Sequence, residues 1–336
     1  MSAVHNENDI AVTTRIRIAR NIKSIPYPRK MTAAQAENVI KAVWDAFDNL
    51  PLKSTLTLYR MDELSSLEKK SMVERHLIST EHENSKVPSA VIINSDETIC
   101  IMINEEDHIR IQVFSEGLDT KTAYDSAQKI EAVLSETITF DKDEEFGYLT
   151  TCPTNAGTGL RASVMLHLPA INSTKNVSPL LKWAANLGMT VRGLYGEGSK
   201  ASGALFQLSN QITLGISEEE IISRFNAAAC SLISEERRIC ADLFERNKYD
   251  LSDKCLRSLG ILKNAYMISS GEAMNLVSNV CLGANSGIIK NIDNNALRKC
   301  LFTVMPATLL KNEGNLKERD RDVKRAQILQ SVLADS

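Results

Sequence analysis

The chain has 336 residues, 43% hydrophobic and 24% charged, with a formal net charge of −3. That length exceeds one ordinary core, and the composition is that of a soluble globular protein, so a large domain plus a smaller one is expected. The charge gives no bulk pull toward nucleic acid or anionic lipid, no apolar run reaches membrane-spanning length, and the polar N-terminus lacks a signal-peptide core, so a cytoplasmic protein is expected.

Near the start, Thr13-Thr14-Arg15-Ile16-Arg17-Ile18 alternates, which on a strand puts Arg15 and Arg17 on one face. Thr32 and Gln35 have the spacing of a capping box. Ile40, Val43, Trp44 and Phe47 then recur at helical spacing, predicting a helix near 33–48. Residues 55–60 alternate like a strand, and a short helix is expected near 66–78. The runs 89–94 and 98–103 flank Asn94-Ser95-Asp96-Glu97 and read as a hairpin, with another strand over 109–114. The segment Asn104-Glu105-Glu106-Asp107-His108-Ile109-Arg110 therefore falls on a strand-to-strand connection. A helix follows over 120–138, then strands at 146–151, 161–167, 189–195 and 204–209.

Ser217-Glu218-Glu219-Glu220 has the form of a capping box opening a long helix, with Ile221, Ile222, Phe225, Ala228, Ala229, Leu232 and Ile233 on one side. From about 250 onward the signals are helical. Asn247-Lys248-Tyr249-Asp250 breaks the apolar pattern and divides the chain into 1–247 and 248–336. The expected class is α+β: an antiparallel sheet flanked by helices, followed by a helical C-terminal domain. Seven cysteines without a C-x-x-C pair point to reduced thiols rather than a disulfide framework or zinc site.

Two phosphate motifs fail on inspection. Gly193 to Gly198 has P-loop glycine spacing, but Ser199-Lys200 reverses the required order. Gly196-Glu197-Gly198-Ser199-Lys200-Ala201 is a degenerate dinucleotide pattern without its βαβ context. Arginine remains: Arg15, Arg17, Arg110, Arg161 and Arg192. Five guanidinium forks on one surface could grip a triphosphate bidentately. Taken singly, the commoner fates are bland: a solvated arginine, Glu105 and Glu106 on a surface turn, Cys152 as a small buried apolar residue, His76 and His108 as structural histidines.

Together, Arg15–Arg17, Asn104–Arg110, Cys152–Thr158, Arg161–Val164 and Arg192–Glu197 match in order the catalytic motifs of phosphagen (guanidino) kinases. The resemblance runs from about residue 10 to 245. Within that superfamily the chain resembles the bacterial protein arginine kinases of the McsB family. Arg15 stands almost at the start, where phosphagen kinases carry roughly a hundred residues of helical domain first. A helical segment follows the catalytic part. Arg321-Asp322-Val323-Lys324-Arg325-Ala326 matches the family's phosphoarginine-binding motif, whose bland reading is a charged helix end.

The resemblance implies transfer of the ATP γ-phosphoryl group to arginine side chains of proteins. ATP would contact Thr13-Thr14-Arg15-Ile16-Arg17, His76, Arg110, Arg161-Ala162-Ser163-Val164-Met165 and Arg192-Gly193-Leu194-Tyr195-Gly196-Glu197, with Mg²⁺ bridging the phosphates largely through water. Glu106 and Glu197 would orient the guanidinium and take its proton, Glu106 being the better base. Glu105 would act through the magnesium shell, and Cys152 as an electrostatic aid. Implied partners are the CtsR repressor and unfolded proteins as substrates, the zinc-binding activator McsA, the ClpC protease system and a second copy in a homodimer. The neighbouring readings are a small-molecule guanidino kinase and a non-catalytic phosphoarginine-binding adaptor.

Overall fold

A computed structural model of the chain describes residues 7–174, 178–193 and 202–334. In chain order the elements begin β1 (Ala11–Arg20), α1 (Ala33–Asp45), β2 (Leu56–Arg60), α2 (Ser66–Glu74), α3 (Thr80–Glu83), β3 (Ala90–Asn94), β4 (Ile99–Ile103), β5 (Ile109–Glu116) and α4 (Thr120–Thr137). There follow β6 (Lys142–Asp143), β7 (Gly147–Tyr148), β8 (Leu160–His167), α5 (Pro169–Ser173), α6 (Ser178–Asn186), β9 (Met189–Gly193) and β10 (Leu205–Asn210). The remainder is helical: α7 (Glu218–Arg246), α8 (Lys248–Asn264), α9 (Ser270–Asn285), α10 (Asn294–Thr303), α11 (Pro306–Glu313) and α12 (Glu318–Ala334).

Eight strands form one sheet in the order β2-β3-β4-β5-β1-β8-β10-β9, and β6 pairs with β7 separately. The pairs β2–β3, β3–β4 and β4–β5 are antiparallel, with Ile92 opposite Ile101 and Met102 opposite Arg110. The chain resolves into two compact units. One comprises Thr14–Ser163 with Ser209–Asn226; the other comprises Met1–Thr13, Val164–Leu208 and Ala227–Ser336.

Local chemistry explains the first unit's elements. Thr32 accepts from the Gln35 amide while the Gln35 side chain accepts from the Thr32 amide, closing the expected box at α1. Val39, Ile40 and Val43 then turn into the core. Ser65 and Glu68 do the same at α2. That helix stops at Glu74 rather than at 78, because His76 takes a left-handed φ of 60° and Leu77 N–H returns to Met72 O at 2.9 Å. This double closure is a Schellman turn without its usual glycine. β3 and β4 are apolar on both faces, and Val91, Ile93, Cys100 and Met102 pack with Met61, Met72, Leu77 and Ile78.

The strand expected at 146–151 shrinks to Gly147–Tyr148. Beyond it the Leu149 N–H still donates to Asp141 O at 3.0 Å, but the next groups find side chains. Asn21 Nδ2 donates to Leu149 O at 3.2 Å, and Thr151 N–H donates to Asp107 Oδ1 at 2.7 Å.

In the second unit, α8–α12 close over Met165 and Leu205. Cys255, Leu262, Val277, Val280, Leu297, Leu301 and Leu329 fill the core. Gly283 lets α8 and α9 approach, since a Cβ there would stand 2.8 Å from Cys255 Cβ. Among the described residues no helix is long and apolar enough to cross a membrane.

Candidate active site

The segment Asn104–His108 joins β4 to β5 as a tight, buried connection. Asn104 has φ 60°, its N–H donates to His108 O at 2.9 Å, and its side chain donates to Ala36 O and Pro88 O, each at 3.0 Å. A rigid loop therefore presents the two glutamates. Arg110, on β5, bridges them: its Nη2 lies 2.8 Å from Glu105 Oε2 and 3.0 Å from Glu106 Oε2.

The two carboxylates differ in environment. Glu105 is nearly buried, with a side chain 3% exposed against 31% for Glu106. Ser79 Oγ donates to Glu105 Oε1 at 2.6 Å, and the Glu106 N–H donates to its Oε2 at 2.9 Å. Burial pushes the Glu105 carboxyl up, but Arg110 and these donors together hold it below the ordinary value. Burial pushes Glu106 up, and the anions Asp107 and Glu105 add to it against Arg110, leaving it above the ordinary value. Two neighbouring carboxyls are thus split, with the more accessible one the better proton acceptor near neutral pH.

Arg15 and Arg17 alternate with the buried Ile16 and Ile18 on β1, as the pattern predicts. Burial, then the cations Arg110 and Arg161, lower the Arg15 pKa to about 10. Arg15, Arg110 and Arg161 thus crowd one region of this unit, and Arg161 Nη2 lies 3.4 Å from Ser209 Oγ. Like charges held together favour an oxyanion ligand. Burial and the charges of Arg15 and Arg17 lower His76 to about 4, so its ring is neutral beside the arginines.

Cys152 is half-buried and caps the turn Pro153–Asn155, its Sγ 3.0 Å from Thr154 Oγ1. Gly157 shapes that turn at φ 100°, where a Cβ would stand 2.4 Å from Thr213 O. Thr213 in turn donates to Thr154 O and Ala156 O at 3.0 and 2.7 Å.

Several expected contact residues have structural roles. Thr14 is buried, donating to Gly117 O at 2.7 Å and accepting from the Asp119 N–H. Ala162, Val164 and Met165 are core residues; Ser163 donates to Arg15 O at 3.2 Å. His108 is locked, its Nδ1 accepting from Ile22 N–H and its Nε2–H donating to Pro26 O, both at 2.9 Å. Arg192 and Gly193 lie on β9 in the other unit. Leu194, Tyr195, Gly196 and Glu197 lie outside the described residues.

On α12, Arg325 is almost fully buried. Its guanidinium donates to Val304 O at 2.9 Å and Ile268 O at 2.8 Å, and pairs with Asp322. Lys324 pairs with Glu313 at 2.9 Å, and Arg321 and Val323 are half-buried beside Ala326 in the core. Residues without a local sequence signal also build the site. Ser79 holds Glu105, and Asn21 holds Asp107 and the His108 amide through partners more than 80 residues away.

No three His, Cys, Asp or Glu side chains among the described residues are grouped to hold a metal ion. The clustered Arg15, Arg110 and Arg161 offer guanidinium donors of the kind that bind phosphate oxygens.

The family model of the ATP:guanido phosphotransferase C-terminal catalytic domain matches residues 38–239, and that of the protein-arginine kinase McsB C-terminal domain matches 248–336. A protein-arginine kinase of Halothermothrix orenii is 43% identical over 97% of this chain and 94% of its own. One from Clostridium acetobutylicum is 42% identical over 95% of each. Among solved structures, a lombricine kinase superposes with TM-score 0.62 at 24% identity, covering 70% of this chain and 68% of that one. A duplicated taurocyamine kinase from Schistosoma mansoni gives 0.63 at 21%, covering 82% and 44%. At those identities the solved structures speak for the fold alone.

Proposed function

The chain belongs to the ATP:guanido phosphotransferases, in the protein-arginine kinase family, and from that premise we propose how its residues divide the work. It is an ATP:protein arginine phosphotransferase. The observation that carries the reading of the site is the split pair Glu105/Glu106 bridged by Arg110.

Glu106 is the base. A protonated guanidinium is a poor nucleophile, so a carboxylate must orient its planar fork and accept a proton as attack proceeds. The N–P bond forms as the bond from γ-phosphorus to the bridging oxygen breaks, ADP leaves with that electron pair, and Glu106 receives the guanidinium proton. Glu105, nearly buried and bonded to Ser79 and Arg110, fixes Arg110, and would act on a nucleotide-borne Mg²⁺ through its water shell. Arg15, Arg17, Arg110, Arg161 and Arg192 neutralise the phosphates, His76 meets the adenine nucleotide, and Cys152 is an electrostatic aid to the guanidinium. A Mg²⁺ ion, when bound with the nucleotide, would supply Lewis-acid compensation of the phosphate charge. Glu197 completes the guanidinium clamp. Phosphoryl transfer depends mostly on such positioning and charge compensation.

The functional segments are a catalytic part, 1–247, and a C-terminal part, 248–336, which serves dimerisation and phosphoarginine sensing. Tyr249 and Leu256, one heptad apart on α8 and 88% and 51% exposed, support a second copy as the partner of that face. Phosphoarginine would be sensed at Arg321 and Asp322, with the buried Arg325 as the strut that holds α12. The family resemblance in the sequence motifs is the ground for proposing cytoplasmic action on the CtsR repressor and on unfolded proteins for the ClpC protease, with McsA as activator.

The test is incubation with MgATP and an arginine-rich protein, scoring acid-labile phosphate on arginine. Labelling that disappears in Glu106→Gln is expected. Labelling of free arginine alone would move the chain to the small-molecule branch. Undiminished labelling by Glu106→Gln would remove the base from this position.

A further inference from the structure

Asp107 stands between the two glutamates and His108, and no step above uses it. It is fully buried. Its Oδ1 accepts two hydrogen bonds from distant segments: Asn21 Nδ2 at 2.8 Å and the Thr151 N–H at 2.7 Å. Asn21, just past the end of β1, completes the knot. Its Oδ1 accepts from the His108 N–H at 2.9 Å, its Nδ2 also donates to Leu149 O at 3.2 Å, and its carbonyl accepts from the Asp141 N–H at 2.8 Å. Three segments of one unit are therefore tied through a single carboxylate oxygen: the end of β1, the β4–β5 connection and the 149–152 stretch. The covalent neighbours of this knot are Glu106, next to Asp107, and Cys152, next to Thr151.

We propose that Asp107 is a positioning residue for phosphoryl transfer: its buried carboxylate sets the separation between the Glu106 carboxylate and Cys152 and holds a negative charge next to Glu106. The inference rests on Glu106 being the base. The geometry gives the first half. A hydrogen bond from the residue before Cys152 to the residue after Glu106 leaves little slack between them. The charge arrangement gives the second half. The groups acting on Glu106 are Asp107 and Glu105 on its own loop, Arg110 on β5 and Arg29 on the turn after β1; the two anions raise its proton affinity and the two cations oppose them. The second oxygen, Asp107 Oδ2, is buried without a hydrogen-bond partner. An amide at this position would still offer an oxygen to both donors, because only Oδ1 accepts, so the geometry of the clamp does not by itself require a carboxylate.

This separates the two roles experimentally. Asp107→Asn keeps an oxygen for Asn21 and Thr151 and removes the charge. Glu106 then ionises more readily and stays a competent base to lower pH. The acid limb of the kcat–pH profile, measured on the full chain with MgATP and a protein substrate, should move toward lower pH. Asp107→Ala removes both roles, and Asn21→Ser loosens the clamp with the charge in place. Both should lower kcat, on the order of a hundredfold for misplacement by about an ångström, with KM for ATP little changed. Asn21→Ser should leave the acid limb unmoved.

If Asp107→Asn lowers all rates in proportion to lost folded protein with its limb in place, the residue is merely structural and the proposal fails. Equal loss of kcat and of ATP affinity in Asn21→Ser and Asp107→Ala would also overturn it. Glu106→Gln, run alongside, distinguishes the two failures. Full activity in that variant refutes the base assignment itself, whereas an inactive Glu106→Gln with an unmoved Asp107→Asn limb refutes only the inference drawn from Asp107.

Discussion

At the scale of single residues, the site depends on groups held away from their ordinary proton affinity. Glu106 sits above the usual carboxylate value, so as pH falls it takes a proton before an ordinary glutamate would. As the proposed base it must be ionised. Activity should therefore fall on acidification with a midpoint above the free glutamate range, and kcat against pH checks this. His76 offers a different trade. Its left-handed φ of 60° costs about 1–2 kcal/mol in a non-glycine residue. His76→Gly should relieve part of that strain and raise stability by roughly 1 kcal/mol, while raising KM for ATP. Denaturant unfolding and ATP titration read the two effects separately; equal KM in the variant would remove His76 from the nucleotide site.

Legibility at this scale follows the sequence separation of partners. The alternation of Arg15 and Arg17 needs only neighbouring residues, so it could be read directly. Arg20 could not: it is fully buried, bonded to Glu131 at 2.6 Å and stacked 3.5 Å over the Tyr148 ring, with partners 111 and 128 residues away. Asn21 and Ser79 were equally silent, since nothing in an isolated asparagine or serine says which distant loop it will tie.

At the scale of elements, capping chemistry and hairpin spacing were readable because their partners lie within a few residues. The Thr32 box and the Asn94–Glu97 turn both formed where the pattern put them. The strand expected at 146–151 formed only over Gly147–Tyr148; beyond it Leu149 O and the Thr151 N–H are taken by the side chains of Asn21 and Asp107. The turn that follows depends on Gly157. At φ 100°, with Thr213 O 2.4 Å from any added Cβ, Gly157→Ala is strained and crowded at once. We expect a loss of 2–3 kcal/mol or more, roughly the upper end for ordinary substitutions, and a matching fall in activity through displaced Cys152. The cap of α5 is the second element-scale lever. Both Glu236 oxygens accept from the α5 amides, Ala170 N–H at 2.7 Å and Ile171 N–H at 2.8 Å. Burial nevertheless pushes its carboxyl up to about 7, against 4.5 for a free glutamate. Between those values the folded chain holds a proton that the unfolded chain has released, so stability should decline as pH rises from about 4.5 through about 7. Glu236→Gln should flatten that slope in chemical denaturation.

At the scale of the whole molecule, the packing units do not follow the chain order of the two family models. The helices after 248 share one core with Met165 on β8 and Leu205 on β10, and Val12 packs against it. Arg298 on α10 reaches the N-terminal segment directly, donating to Asp9 O and Asn8 O at 2.6 Å each. Arg325 fastens α12 to Ile268 and Val304 from within. Removing 248–336 would strip Met165 and Leu205 of most of their apolar neighbours and leave them in water, at about 1.5–3 kcal/mol for each large side chain exposed. A fragment ending at 247 should therefore unfold without a cooperative transition or aggregate, even though it carries the complete catalytic motifs. Full-length protein with Leu256→Glu should instead keep a sharp transition, since that side chain is 51% exposed and lies outside the core. Its expected defect is a smaller hydrodynamic size if α8 is where two copies meet. Calorimetry on the fragment and size-exclusion on the Leu256 variant separate the two uses of the same helices. A cooperative transition in the fragment would mean that β8 and β10 find their core without the C-terminal part.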